Sequence, residues 1–143
     1  MSTEAPTSRS VGILLFDGFE LLDVFGPVEL LSVLPKEYRI TYIAPEVGPI
    51  RSSQGAEVVA TQSLSAAPSP DIVLVPGGNG TRRLVTDPEF LARLSTWARA
   101  SPLVTSVCTG SAVLAASGLL DGYRATSNKL AFAWASSQGD DVT

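Results

Sequence analysis

Three short apolar runs constrain this chain more than any other feature. Val11 to Phe16 (VGILLF), Asp71 to Val75 (DIVLV) and Leu103 to Val107 (LVTSV) have strand length and little alternation. A strand with one wet face alternates apolar and polar residues. A strand apolar throughout is buried on both faces, as in a parallel sheet covered by helices. Segments of helical period separate the runs, so the expected architecture is three-layer α/β, with helices on both faces of a mostly parallel sheet.

The intervening segments fill in that plan. In FELLDVFGPVELLSVLP the residues Leu21, Leu22, Phe25, Val28, Leu31 and Leu34 fall at helical spacing. Proline is tolerated only near a helix start, so a short helical turn to about Phe25 and a second helix from Pro27 to about Leu34 are expected. YRITYIAP is the next strand. PIRSSQGAEVVATQSL reads as a small β-hairpin turning around Gln54-Gly55. Asp87 is a helix cap with Pro88 at the first helical position, and Phe90, Leu91, Leu94, Trp97 and Ala98 form one face. GSAVLAASG is a short helix closed by Gly118, and SNKLAFAWASS starts one more.

Ligands of open α/β sheets bind at the carboxyl ends of the strands. That rule singles out three loops: FDGFELLD after the first run, PGGNG after the second and CTGS after the third. The last holds Cys108, the only cysteine. A residue between a buried strand and a helix can sit on a strained, exposed turn, and the helix dipole then favours its thiolate. Free cysteine is also among the most buried residue types, and VCTG alone leaves nucleophile and core filler both open. Gly77 and Gly78 can aim backbone N–H groups into the cleft as oxyanion donors, or simply end a strand. Among the acids, Glu20 and Asp23 lie in the first loop or its helical turn. Partial burial would raise such a carboxyl towards useful acid/base values. Asp23 could equally cap the helix near Pro27, and Glu29 fits a solvated face.

The chain contains no histidine. That excludes Cys-His and Ser-His-Asp triads within one chain. One cysteine and scattered carboxylates also fall short of a zinc-type site, and nothing calls for an organic cofactor. What survives is a cysteine–carboxylate dyad with backbone donors.

Taken together, ILLFDGFELLDVFGPVELL, LVPGGNGTRRL, TSVCTGSAVLAASGLLDGYRAT and SNKLAFAW resemble the ThiJ/PfpI superfamily, class I glutamine amidotransferase-like, in its isonitrile (isocyanide) hydratase-like branch. The resemblance runs from about Val11 to Trp134. It implies a flavodoxin-like sandwich and no cofactor, with Cys108 as nucleophile, Asp23 as the acid, Thr109 lining the pocket, and Gly77 and Gly78 as oxyanion donors. It implies thiolate attack on an isonitrile carbon and release of an N-substituted formamide. Glyoxalase or deglycase chemistry on reactive carbonyls, and a non-catalytic thiol sensor or ligand-binding module, are the alternatives. Where many relatives carry a histidine after the AT pair this sequence has Asn128, which weakens the glyoxalase reading more than the hydratase one. Relatives continue with a further strand and helix, so the ending SSQGDDVT reads as a C-terminal truncation. They are usually homodimers, and the same is expected here.

Length and charge set the remaining bounds. A chain of 143 residues is most simply one domain. Residues 1–10 (MSTEAPTSRS) are expected to be a disordered lead-in, neither signal nor transit peptide. Residues 11–136 form the domain and 137–143 a polar tail. A net charge of −4 without a basic cluster argues against a nucleic-acid partner. No apolar stretch is long enough for a bilayer. A lone cysteine fits a reducing compartment. The expectation is a cytoplasmic domain acting on a small-molecule substrate.

Overall fold

The computed structural model describes residues 8–143. Its framework is a five-stranded parallel sheet in the order β5-β2-β1-β6-β7, formed by β1 (Arg9–Leu14), β2 (Tyr38–Ala44), β5 (Gln62–Ser63), β6 (Ile72–Val75) and β7 (Leu103–Ser106). β3 (Gly48–Arg51) and β4 (Glu57–Ala60) form the separate antiparallel hairpin. The helices are α1 (Leu21–Ser32), α2 (Thr81–Leu84), α3 (Pro88–Ala98), α4 (Gly110–Ala116) and α5 (Phe132–Ser136). This is the mostly parallel α/β fold, with its small hairpin, that the unbroken runs require.

Strand order fixes where the loops gather. From β1 the chain crosses through α1 to β2 on one side, and from β6 it crosses through α3 to β7 on the other. Right-handed crossovers in opposite directions put α1 and α3 on opposite faces of the sheet. The loops leaving β1 and β6 therefore part at a switch point, the crevice where such sheets bind ligands. Beneath it, Ile13, Leu14, Leu15, Phe16, Val73 and Val75 are sealed from solvent.

Four expectations need correction. α1 is one helix that runs through Pro27, not two. Its inward stripe is Leu21, Val24, Val28 and Leu31, with Val24 fully buried, whereas Leu22, Phe25 and Leu34 are exposed. Packing that continuous stripe on the sheet outweighs a mid-helix proline, which costs about 3 kcal/mol. β7 was expected to be buried but is an edge strand, paired only with β6, and Leu103 is 51% exposed. The domain starts before residue 11: Arg9 and Ser10 belong to β1, and the Ser10 amide and hydroxyl both donate to Asp71 Oδ2, at 2.8 and 3.0 Å. The rest of the expected lead-in, residues 1–7, lies outside the described residues. The terminal segment pairs back on the domain, with the Gly122 and Ala125 amides donating to the Asp141 and Thr143 carbonyls, each at 2.8 Å.

The Asp87 cap is as expected, its carboxylate accepting the Phe90 amide at 3.0 Å. Among the described residues no helix is long and apolar enough to cross a membrane.

Candidate active site

Cys108 occupies the turn between β7 and α4 with φ 56, the only non-glycine residue with positive φ among those described. A side chain in this region costs of order 1–3 kcal/mol, so surrounding contacts must hold it there. Its carbonyl accepts the Ser111 hydroxyl at 3.0 Å and the Ser127 hydroxyl at 3.2 Å. Both serines are thus positioning residues for the elbow. Cys108 is half-buried and borders a cleft of about 260 Å³ together with Glu20, Gly78, Arg82, Thr109 and Asn128. Cys108 is thus not sealed in the core.

The loop after β6 joins the other groups. The Gly77 amide donates to Asp23 Oδ2 at 2.9 Å, and the Gly78 amide donates to Thr109 Oγ1 at 3.1 Å. Thr109 Oγ1 also lies 3.2 Å from the fully buried Thr81 hydroxyl, which donates to the Gly78 carbonyl at 2.7 Å. A Cβ on Gly77 would sit 2.7 Å from the Thr109 amide nitrogen, 2.8 Å from Thr109 Oγ1 and 2.9 Å from Asp23 Oδ2. A side chain at that crossing would have to displace Thr109 and Asp23. Gly78 has φ 125, and a Cβ there would strike the Gly18 carbonyl and the Glu20 amide.

The N–H groups of the two glycines are engaged, Gly77's by the acid and Gly78's by the threonine. The sequence could show the glycine pair but not which acceptors would claim it.

Burial pushes the Asp23 carboxyl above its ordinary range; the Gly77 amide pulls it back in part, and the charge of nearby Glu20 raises it further. Asp23 lies in the first turn of α1 rather than capping a helix at Pro27. It and Gly77 stand outside the lining of the cleft, linked to it through Thr109 and Gly78. Glu20 does border the cleft, and its Oε1 accepts the Gln54 side-chain amide at 2.7 Å. Gln54 Oε1 in turn accepts the Leu21 amide at 3.1 Å, so the hairpin tip holds the start of α1. Glu29 is exposed on the far part of α1 and joins none of this.

Asn128 is at the cleft, but its Oδ1 is engaged with the Leu130 and Ala131 amides, at 2.9 and 3.2 Å. It caps the turn before α5 and is no replacement for an imidazole base. One residue at the cleft escaped sequence reasoning altogether. Arg82, in α2, lies over the Trp134 ring at 4.0 Å from its centroid. The TRRL segment after PGGNG was the available signal.

Residues 9–142 match the model of the DJ-1/PfpI family. An isonitrile hydratase from Pseudomonas putida is 38% identical over 118 residues, which cover 82% of this chain and 51% of that protein. The HTH-type transcriptional regulator GbdR of Pseudomonas aeruginosa is 34% identical over 135 residues, covering 86% of this chain and 36% of the regulator. The crystal structure of a ThiJ/PfpI family protein from Pseudomonas syringae superposes with a TM-score of 0.79 at 31% identity, over 86% of this chain and 51% of that one. The chain thus spans about half the length of the hydratase and a smaller share of the regulator.

Proposed function

The chain belongs to the DJ-1/PfpI family, and on that premise we propose that it is a cysteine-dependent enzyme hydrating isonitriles to N-substituted formamides. The observation that carries this reading is the strained elbow at Cys108, whose next residue Thr109 is held by the same glycine pair as Asp23, an acid of raised pKa, in a chain without histidine. Such a pair suits an electrophile that a thiolate attacks and a carboxylic acid protonates.

The steps balance with those two groups and water. The Cys108 thiolate bonds to the terminal carbon of R–N≡C, and Asp23 delivers its proton to that same carbon, giving a thioimidate. The Asp23 carboxylate then takes a proton from water as the hydroxyl adds to the carbon. Collapse breaks the C–S bond, the hydroxyl proton passes to nitrogen, and the formamide leaves with the thiolate restored. Negative charge in the first step develops on the carbon being protonated. Occupied Gly77 and Gly78 amides are therefore compatible with it, since their task is to hold Asp23 and Thr109. Thr109 forms the wall beside the reacting carbon.

The reading includes a homodimer and a small-molecule substrate. The exposed Leu22 and Leu30 of α1, with Val33 just after it, support a second copy as their cover. A second reading, a ligand-binding module without turnover, is favoured by one observation: the Gly77 and Gly78 amides are both engaged within the protein. Incubation of the purified protein with an alkyl or aryl isonitrile, followed by NMR for the formamide, separates the two. Formamide above the buffer control supports the enzyme; a folded protein that forms none contradicts it.

A further inference from the structure

We infer that the cleft at Cys108 takes an anionic substrate, and that Arg82 is the residue that receives its carboxylate. The inference rests on the hydratase reading for the reaction and adds the substrate class, an isonitrile bearing a carboxylate. It starts from a charge the mechanism leaves unused. Arg82 borders the same cleft as Cys108, Thr109 and Asn128, and its guanidinium is stacked on Trp134.

Stacking on an indole face immobilises the guanidinium while leaving its N–H edge available. Among the described residues it has no carboxylate partner and no hydrogen bond within the protein; cation–π contact with Trp134 is what holds it. A planar fork held at the mouth of a nucleophile's cleft is suited to a carboxylate, which it can bind through two parallel bonds. Neighbouring Arg83 differs, since its Nη2 donates to the Asp17 carbonyl at 3.1 Å. The other charge at the cleft is Glu20, which would oppose an anion. Its Oε1 is engaged by Gln54, so the two charges bordering the cleft differ in sign and in freedom.

The test uses Cys108 itself, the only cysteine in the chain. Iodoacetate and iodoacetamide alkylate a thiolate by the same displacement: the S–C bond forms, the C–I bond breaks and iodide leaves. They differ in the carboxylate. Rates of mass gain on the intact protein give an acid-to-amide ratio for the wild type, Arg82→Gln, Arg82→Lys and Trp134→Leu. Arg82→Gln is expected to lower the ratio about fivefold, the scale of one solvent-facing ion pair. Arg82→Lys should restore part of it, Trp134→Leu should lower it with Arg82 intact, and added salt should erode it. A ratio unchanged in Arg82→Gln overturns the inference. The same comparison with isocyanoacetate and its methyl ester asks whether KM follows the ratio. If neither isonitrile is hydrated while the alkylation ratio behaves as stated, the hydratase reading fails and the anion subsite stands.

Discussion

The Asp23 carboxylate accepts the Gly77 amide at 2.9 Å across 54 residues of sequence, and this bond joins the first turn of α1 to the loop after β6. The adjacent Gly78 amide holds Thr109, the residue after Cys108. One short loop thus sets the acid and the elbow relative to each other.

Gly77→Ala tests that relationship. Its Cβ would press on Thr109 and Asp23 together, and a displacement near 1 Å at a catalytic centre costs about 100-fold. The variant should fold, as judged by circular dichroism, and lose about that factor in kcat/KM. Gly78→Ala adds a positive φ to its clashes and should destabilise the protein by about 3 kcal/mol in urea unfolding.

Thr109 should matter to stability as well as to the cleft. Removing its hydroxyl leaves the part-buried Gly78 amide without its acceptor, a loss of about 1 kcal/mol. Thr109→Val is expected to show that loss in urea unfolding, and Thr109→Ser to recover most of it.

The raised pKa of Asp23 has a defined sign in stability. Folding favours its protonated form, so its contribution is complete below the unfolded-state pKa and is lost as pH rises through the folded-state pKa. Asp23→Asn stays neutral and still offers the Gly77 amide an oxygen. Its Tm should equal that of the wild type in acid and exceed it slightly at neutral pH. A lower Tm at neutral pH would show that the charged form is stabilised instead.

Two carboxylates are candidates for the acid, Glu20 at the cleft and Asp23 behind Gly77, and activity should separate them. Asp23→Asn removes the proton donor and is expected to lower kcat about 100-fold or more, within the usual range for general acid–base groups. Glu20→Gln should change kcat only a few-fold, since Glu20 is tied to Gln54 at the rim. The reverse order would move the acid to Glu20.

Much of this was legible in the sequence, for identifiable reasons. An unbroken apolar run of strand length closed by a turn, such as VGILLF, points to a strand covered on both faces, so sheet type and the end that carries the loops followed. That placed Asp23, Gly77, Gly78, Cys108 and Thr109 in one neighbourhood. Local rules failed where tertiary packing decided the outcome. Pro27 looked like a helix boundary because its cost is local, while the Leu21–Leu31 stripe that outweighs it shows only against the sheet. LVTSV looked buried, although its place at the edge depends on strand order. The partners of the Gly77 and Gly78 amides, and the Arg82–Trp134 stack, join segments that no spacing rule connects.

The most direct test of the central claim is the rate of formamide release from an isonitrile by wild type and by Cys108→Ser at equal folded concentration. The thiolate account expects steady turnover by the wild type and none above the buffer control in Cys108→Ser. Undiminished formamide release by Cys108→Ser would contradict it.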